Sequence, residues 1–199
     1  MKKLLTPRIS SKSFRFDGNS GVACYMIHGY TGSTFEMEKF GKFLSSNGIT
    51  AVADLLPGHG TSVRDCNSRT HYEWLQSVEE GYDILAKEFN EIFIIGFSMG
   101  CTLAFHIAIE RDPKGLVVMS PAMFKFKSRK IYLSPILCYF KEYQTKTFTT
   151  SSNLKIPAFG YAVYPIKAGR EALRMTIKLR RQLNHVKVPT LVMHSTKDI

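Results

Sequence analysis

Gly96-Phe97-Ser98-Met99-Gly100 places one serine between two glycines, directly after the apolar run Glu91–Ile95 and before a helix-like segment reaching about Glu110. That setting suits a nucleophile. A serine on a sharp strand-to-helix turn projects its hydroxyl away from the sheet, and glycines at positions 96 and 100 let strand and helix close around it. The same turn sets the Met99 backbone N–H at a helix start, where it can stabilise the negative oxygen that forms during acyl transfer. A purely structural glycine-rich turn is the plain alternative, and the flanking strand and helix favour the nucleophile. His28-Gly29-Tyr30-Thr31-Gly32 closes an earlier apolar run. Its glycines allow close backbone approach, and the Tyr30 N–H is the candidate second donor to the same oxygen.

A serine hydroxyl needs a base to accept its proton. His28 precedes a structural glycine and reads as a loop pin rather than the base. His59, in Pro57-Gly58-His59-Gly60, reads the same way. His71 and His106 fall on helices, His185 lies in a basic stretch, and His194 ends a strand. Asp198 follows that last strand, where the acid of a Ser–Asp–His order belongs, with a surface-turn aspartate as the alternative. No histidine follows it in this sequence.

These residues need a frame, and the hydrophobic periodicity supplies one. Val22–Ile27 (VACYMI), Ile49–Asp54, Glu91–Ile95, Leu116–Met119 and Thr190–His194 read as strands. A helix capped by Ser33 or Thr34 runs to about Ser46, with Phe35, Phe40, Phe43 and Leu44 inward. Tyr72, Leu75, Val78, Tyr82, Leu85 and Phe89 recur in steps of three and four, which predicts an amphipathic helix over His71–Phe89. Short connections between alternating strands and helices specify an α/β fold with a mostly parallel sheet covered on both faces. The alternation stops at Pro121. Residues 1–120 are then the amino-terminal part of the core. Residues 121–185 form a cap inserted at the carboxyl edge, containing a helix over Glu171–Leu183. Residues 186–199 carry the last strand and the acid loop.

The net charge of +11 is concentrated in this cap and the two residues after it: residues 121–187 hold fourteen Lys and Arg against Glu142 and Glu171 only. Such a surface could attract anionic lipid interfaces or acidic substrates, or simply be solvated. Aromatics from Phe124 to Tyr164 interleave with the basic residues. This fits the lining of an acyl pocket over the elbow better than base stacking, so nucleic acid is not an expected partner. No segment has the roughly 18 apolar residues needed to cross a bilayer. The start has no secretory pattern. Four scattered cysteines without a metal-ligand spacing point to reduced thiols in a cytoplasmic protein. No motif implies a cofactor or metal. Oligomeric state is left open.

The chain resembles the α/β-hydrolase superfamily, and within it the small bacterial carboxylesterase and monoacylglycerol-lipase-like group. HGYTGS, the strand with LPGHG, HYEWLQSVEEGYDIL, IIGFSMG and TLVMHSTKD stand in the family's order, over about residues 20–199. The resemblance implies cleavage of a small-molecule ester through an acyl-enzyme on Ser98, with Tyr30 and Met99 as oxyanion donors and Asp198 orienting a histidine. The family places that histidine about thirty residues past the acid, after one more strand and before a final helix, and this sequence departs there. The 199-residue chain alone is therefore expected to be nearly inactive, with an exposed edge at its last strand. A non-catalytic binding protein on the same fold is the alternative expectation.

Overall fold

Alternation along β2 (Val22–Ile27) sets the architecture: Ala23, Tyr25 and Ile27 point to one face of the sheet, Cys24 and Met26 to the other, and all five are buried. A strand buried on both sides belongs at the centre of a parallel sheet. The computed structural model describes residues 12–121, 138–146 and 160–196. In it, β2 lies between β3 (Thr50–Ala53) and β4 (Glu91–Phe97), parallel to both. The sheet has six strands in the order β1-β3-β2-β4-β5-β8. β5 (Gly115–Met119) and β8 (Thr190–Met193) continue it in parallel, and β1 (Phe14–Phe16) is antiparallel at the far edge.

Helix α1 (Phe35–Ser46) covers one face, where Met37 and Leu44 meet Met26, Ala51 and Ile95. The other face carries α3 (His71–Leu85) and α4 (Met99–Glu110), with Trp74, Val78 and Leu103 in the larger core. The short helix α2 (Val63–Ser68) follows the LPGHGTS turn. From the inserted region, β6 (Tyr143–Thr145) and β7 (Val163–Pro165) form a separate antiparallel pair, and α5 (Ile166–Arg180) packs on α2, α3 and α4. This is the α/β fold expected.

Several details differ. Phe43 is exposed, because α1 buries the stripe Met37, Gly41, Leu44 instead. Tyr72 is exposed as well; His71, Trp74, Val78, Tyr82 and Leu85 form the buried stripe of α3, which ends before Phe89. Helix α5 begins at Ile166, five residues ahead of the expected start. Among the cap aromatics expected to line a pocket, Phe124, Phe126, Tyr132, Phe148 and Phe159 lie outside the described residues. At the β8 edge, Leu191, Val192 and Met193 are each more than half exposed. No described helix is long and apolar enough to cross a membrane.

The start of α3 is held by a reciprocal cap. Thr70 Oγ1 accepts from the Glu73 N–H at 3.4 Å, and Glu73 Oε2 accepts from the Thr70 N–H at 2.7 Å. Thr70→Ala removes one arm and is expected to lower stability by about 1 kcal/mol. Urea unfolding checks this, and an unchanged midpoint would contradict the cap.

Candidate active site

β4 leads straight into Ser98, which adopts φ 52° and ψ −114° before α4 begins at Met99. A left-handed, non-helical backbone at a residue with a Cβ is strained, on the order of 1–3 kcal/mol, and persists only where its surroundings enforce it. Here the Ser98 N–H donates to Met119 O at the end of β5 (2.9 Å), and Ser98 O accepts from the Cys101 N–H at 3.1 Å. A Cβ on Gly96 would stand 2.6 Å from Gly100 O and 2.7 Å from Cys101 Cα. The strand and helix therefore approach as closely as two glycines permit. As the first residue of α4, Met99 has an N–H without an intrahelical acceptor.

The loop at the end of β2 faces this elbow. A Cβ on Gly29 would lie 3.2 Å from Ser98 Cβ. Two buried imidazoles tie the loop to the turn after β3. His28 Nε2 accepts from the Leu56 N–H at 3.1 Å, so its Nδ1 carries the hydrogen and donates to Gly29 O at 3.0 Å. His59 Nε2 accepts from the Thr31 N–H, and its Nδ1 donates to Pro57 O, both at 3.3 Å. Burial pushes His28 down to about 3, with neighbouring His59 adding to the effect, and pushes His59 down to about 4. Each ring has both nitrogens engaged, which leaves neither placed to serve Ser98 as a base.

The remaining histidines sit elsewhere. His71 pairs with Glu171 across α3 and α5 at 2.6 Å, and His106 with Glu79 across α4 and α3 at 2.5 Å. His185 ends a 3-10 turn, and exposed His194 has its Nδ1 3.1 Å from Ser195 O. Among the described residues, no histidine is hydrogen-bonded to Ser98. Asp198 lies outside the described residues.

Glu36 and Lys146, which carry no motif, and Tyr161, one of the aromatics expected to line the pocket, also hold the loop. The Glu36 carboxylate accepts from the Gly29 N–H at 3.0 Å. Lys146 Nζ donates to Thr31 Oγ1 at 2.6 Å, and the Tyr161 N–H donates to Thr31 O at 2.9 Å. The Tyr30 hydroxyl donates to Pro165 O. The region after Pro121 is thus latched onto the loop at Tyr30 and Thr31. Thr31 itself adopts a φ of 61° between Gly29 and Gly32, and those two glycines are the only local mark of the loop in the sequence.

Known proteins share this frame. A solved structure from the metagenome-derived lipolytic enzymes LipS and LipT superposes with a TM-score of 0.87 at 20% identity, covering 95% of this chain and 77% of that one. The monoacylglycerol lipase of Paleococcus ferrophilus gives 0.75 at 19% identity, covering 94% and 78%. In sequence, the thermostable monoacylglycerol lipase of Bacillus sp. (strain H-257) is 34% identical over 119 residues, which is 59% of this chain and 47% of the lipase. That match spans about half the lipase's length. The carboxylesterase of Bacillus subtilis (strain 168) is 24% identical across 98% of this chain and 78% of the esterase. The family model described as serine aminopeptidase, S33, matches residues 19–153, through both the β2 loop and the elbow. With the α/β-hydrolase fold and that match over most of its length, this chain belongs to the serine aminopeptidase, S33, family.

Proposed function

We propose that the protein cleaves carboxylic esters of short or medium acyl chains, monoacylglycerols among them, through an acyl-enzyme on Ser98. The observation that carries this reading is Ser98 held at φ 52° between β4 and α4 with Gly29 packed against its Cβ. Ser98 Oγ attacks the ester carbonyl and gives its proton to a base. The carbonyl oxygen becomes negative and is received by the N–H groups of Tyr30 and Met99. The alcohol leaves with a proton, and water then releases the acid and restores the serine. Asp198 orients the histidine that acts as base. Ester rather than amide cleavage is favoured because two relatives are named for it. The acyl chain is expected to run toward the basic region after Pro121, whose described residues Lys146, Tyr161 and Pro165 are bonded to the Tyr30–Thr31 loop, and the charge of that region either attracts anionic interfaces or is solvated.

p-Nitrophenyl butyrate hydrolysis by the protein expressed from its own gene tests this. Ser98→Ala is expected to lower kcat by about a thousandfold or more; equal turnover in the variant removes Ser98 from the mechanism. The 199-residue chain alone is expected to stay within about tenfold of its own Ser98→Ala variant, because none of its six histidines is hydrogen-bonded to Ser98. That same placement favours a second reading, a non-catalytic binding protein on this fold. It prevails if the product of the native gene has no Ser98-dependent turnover.

A further inference from the structure

Behind the loop that faces Ser98 sits a carboxyl group that the acyl transfer above does not use. Glu36 lies in the first turn of α1, and its side chain turns back into the loop of residues 28–32. The Gly29 N–H donates to Glu36 Oε2 at 3.0 Å. A Cβ on Gly32 would overlap the same carboxyl group, lying 2.5 Å from Oε2. Glycine at position 32 is therefore what admits the acid. Gly29 separates the two groups: a Cβ there would stand 3.5 Å from Glu36 Oε2 and 3.2 Å from Ser98 Cβ. Carboxyl and nucleophile are one glycine apart.

We infer that Glu36 is a positioning residue of the acyl-transfer site: wedged between Gly29 and Gly32, it fixes the loop that presents the Tyr30 N–H beside Ser98, and its charge state tunes how well that loop receives an oxyanion. The inference rests on the ester-cleavage reading. Its physical basis has two parts. The Gly29 hydrogen bond survives in either state, since the carbonyl oxygen of a neutral carboxyl accepts as an ionised one does. A full negative charge one residue behind the forming oxyanion, in a partly desolvated site, opposes that oxyanion. The neutral form is therefore the better support.

The groups facing Glu36 set where it titrates. From the region after Pro121 comes Lys146, bonded to Thr31 Oγ1. From the loop comes His28, held neutral by burial. The elbow offers only Ser98. On α1 itself, Glu38 is paired with Lys42. Burial pushes Glu36 up to about 7, and the Gly29 N–H and Lys146 only partly offset it. The switch therefore falls near neutral pH.

Two readouts test this on the protein expressed from its own gene. In 1H–15N spectra the Gly29 amide is expected to shift with a midpoint near pH 7, and to stop shifting in Glu36→Gln. In p-nitrophenyl butyrate hydrolysis, Glu36→Ala is expected to lower kcat about tenfold with KM changed less than about threefold. Glu36→Gln, which keeps an acceptor for Gly29, recovers most of that loss and abolishes the decline in kcat above pH 7. A Gly29 amide that is flat from pH 5 to 9, a folded Glu36→Ala with unchanged kcat, or an alkaline decline that persists in Glu36→Gln would each overturn the inference. If the unmodified protein shows no Ser98-dependent turnover, the ester-cleavage reading fails separately, and the Gly29 amide alone decides the role of Glu36.

Discussion

Replacing Gly100 by alanine is expected to cost at least about 3 kcal/mol and to lower any Ser98-dependent turnover by about a hundredfold or more. A Cβ at Gly100 would overlap Ile27 O and lie 2.7 Å from His28 O, both backbone atoms at the end of β2. Neither can rotate away as a side-chain tip would. The methyl group must push α4 off the sheet, and Ser98 and Met99 move with it. Gly21→Ala is the control: its φ is +77°, yet nothing lies within 4 Å of the added atom. That variant carries only the left-handed strain, about 1–2 kcal/mol. Urea unfolding of the two variants side by side gives the comparison. If Gly100→Ala is as stable as Gly21→Ala, the close approach of α4 to β2 is wrong.

Gly100 also shows why this part of the site was legible in the sequence. The elbow is specified within five consecutive residues, and the strand before it and helix after it carry their own periodicity. β4 accordingly starts at Glu91 as the residues implied and runs two residues past the expected Ile95, to Phe97, while α4 ends at the expected Glu110. Legibility fell where the determining contact is distant. Glu36 reads as an ordinary acid in a first helical turn, where carboxylates are commonly favoured by the helix dipole. Only the fold reveals that Gly32 makes room for it and that the Gly29 N–H binds it. Lys146 and Tyr161 reach Thr31 from more than a hundred residues away. Strands of three residues such as β1, β6 and β7 are too short for an alternation to register. The misplaced Tyr72 has a different origin. Tyr72 and His71 lie one residue, about 100°, apart on α3, and the helix phase was set by treating the aromatic as apolar. In the fold His71 turns inward, its ring stabilised by Glu171, and Tyr72 turns out.

The largest pH effect on stability should come from the two imidazoles that hold the β2 loop. Both are neutral in the folded chain, with values pushed down to about 3 for His28 and about 4 for His59. Unfolding exposes them, and each then takes up a proton below pH 6.5. Their contribution to stability is thus complete above pH 6.5 and is lost as pH falls towards 3–4, by about 3 kcal/mol for each ring at pH 4. Glu36 acts with the opposite sign. Its folded value of about 7 lies above the unfolded 4.5, so it stabilises the fold below pH 4.5 and loses that contribution as pH rises through 7. Between pH 4.5 and 6.5 the three groups compete. The unfolded chain gains about two protons on the histidines and gives up about one from Glu36, for a net uptake of about one. Glu36→Gln removes the opposing term, so net uptake on unfolding should rise to about two and the acid-side slope of stability should double. Urea unfolding at half-unit steps from pH 7 to 5 measures the slope above the range of the paired carboxylates Asp65, Glu73 and Glu171, whose values are lowered. A slope near zero in both proteins would mean that His28 and His59 are already solvated in the folded chain. An unchanged slope in Glu36→Gln would place the carboxyl in water, away from Gly29 and Ser98.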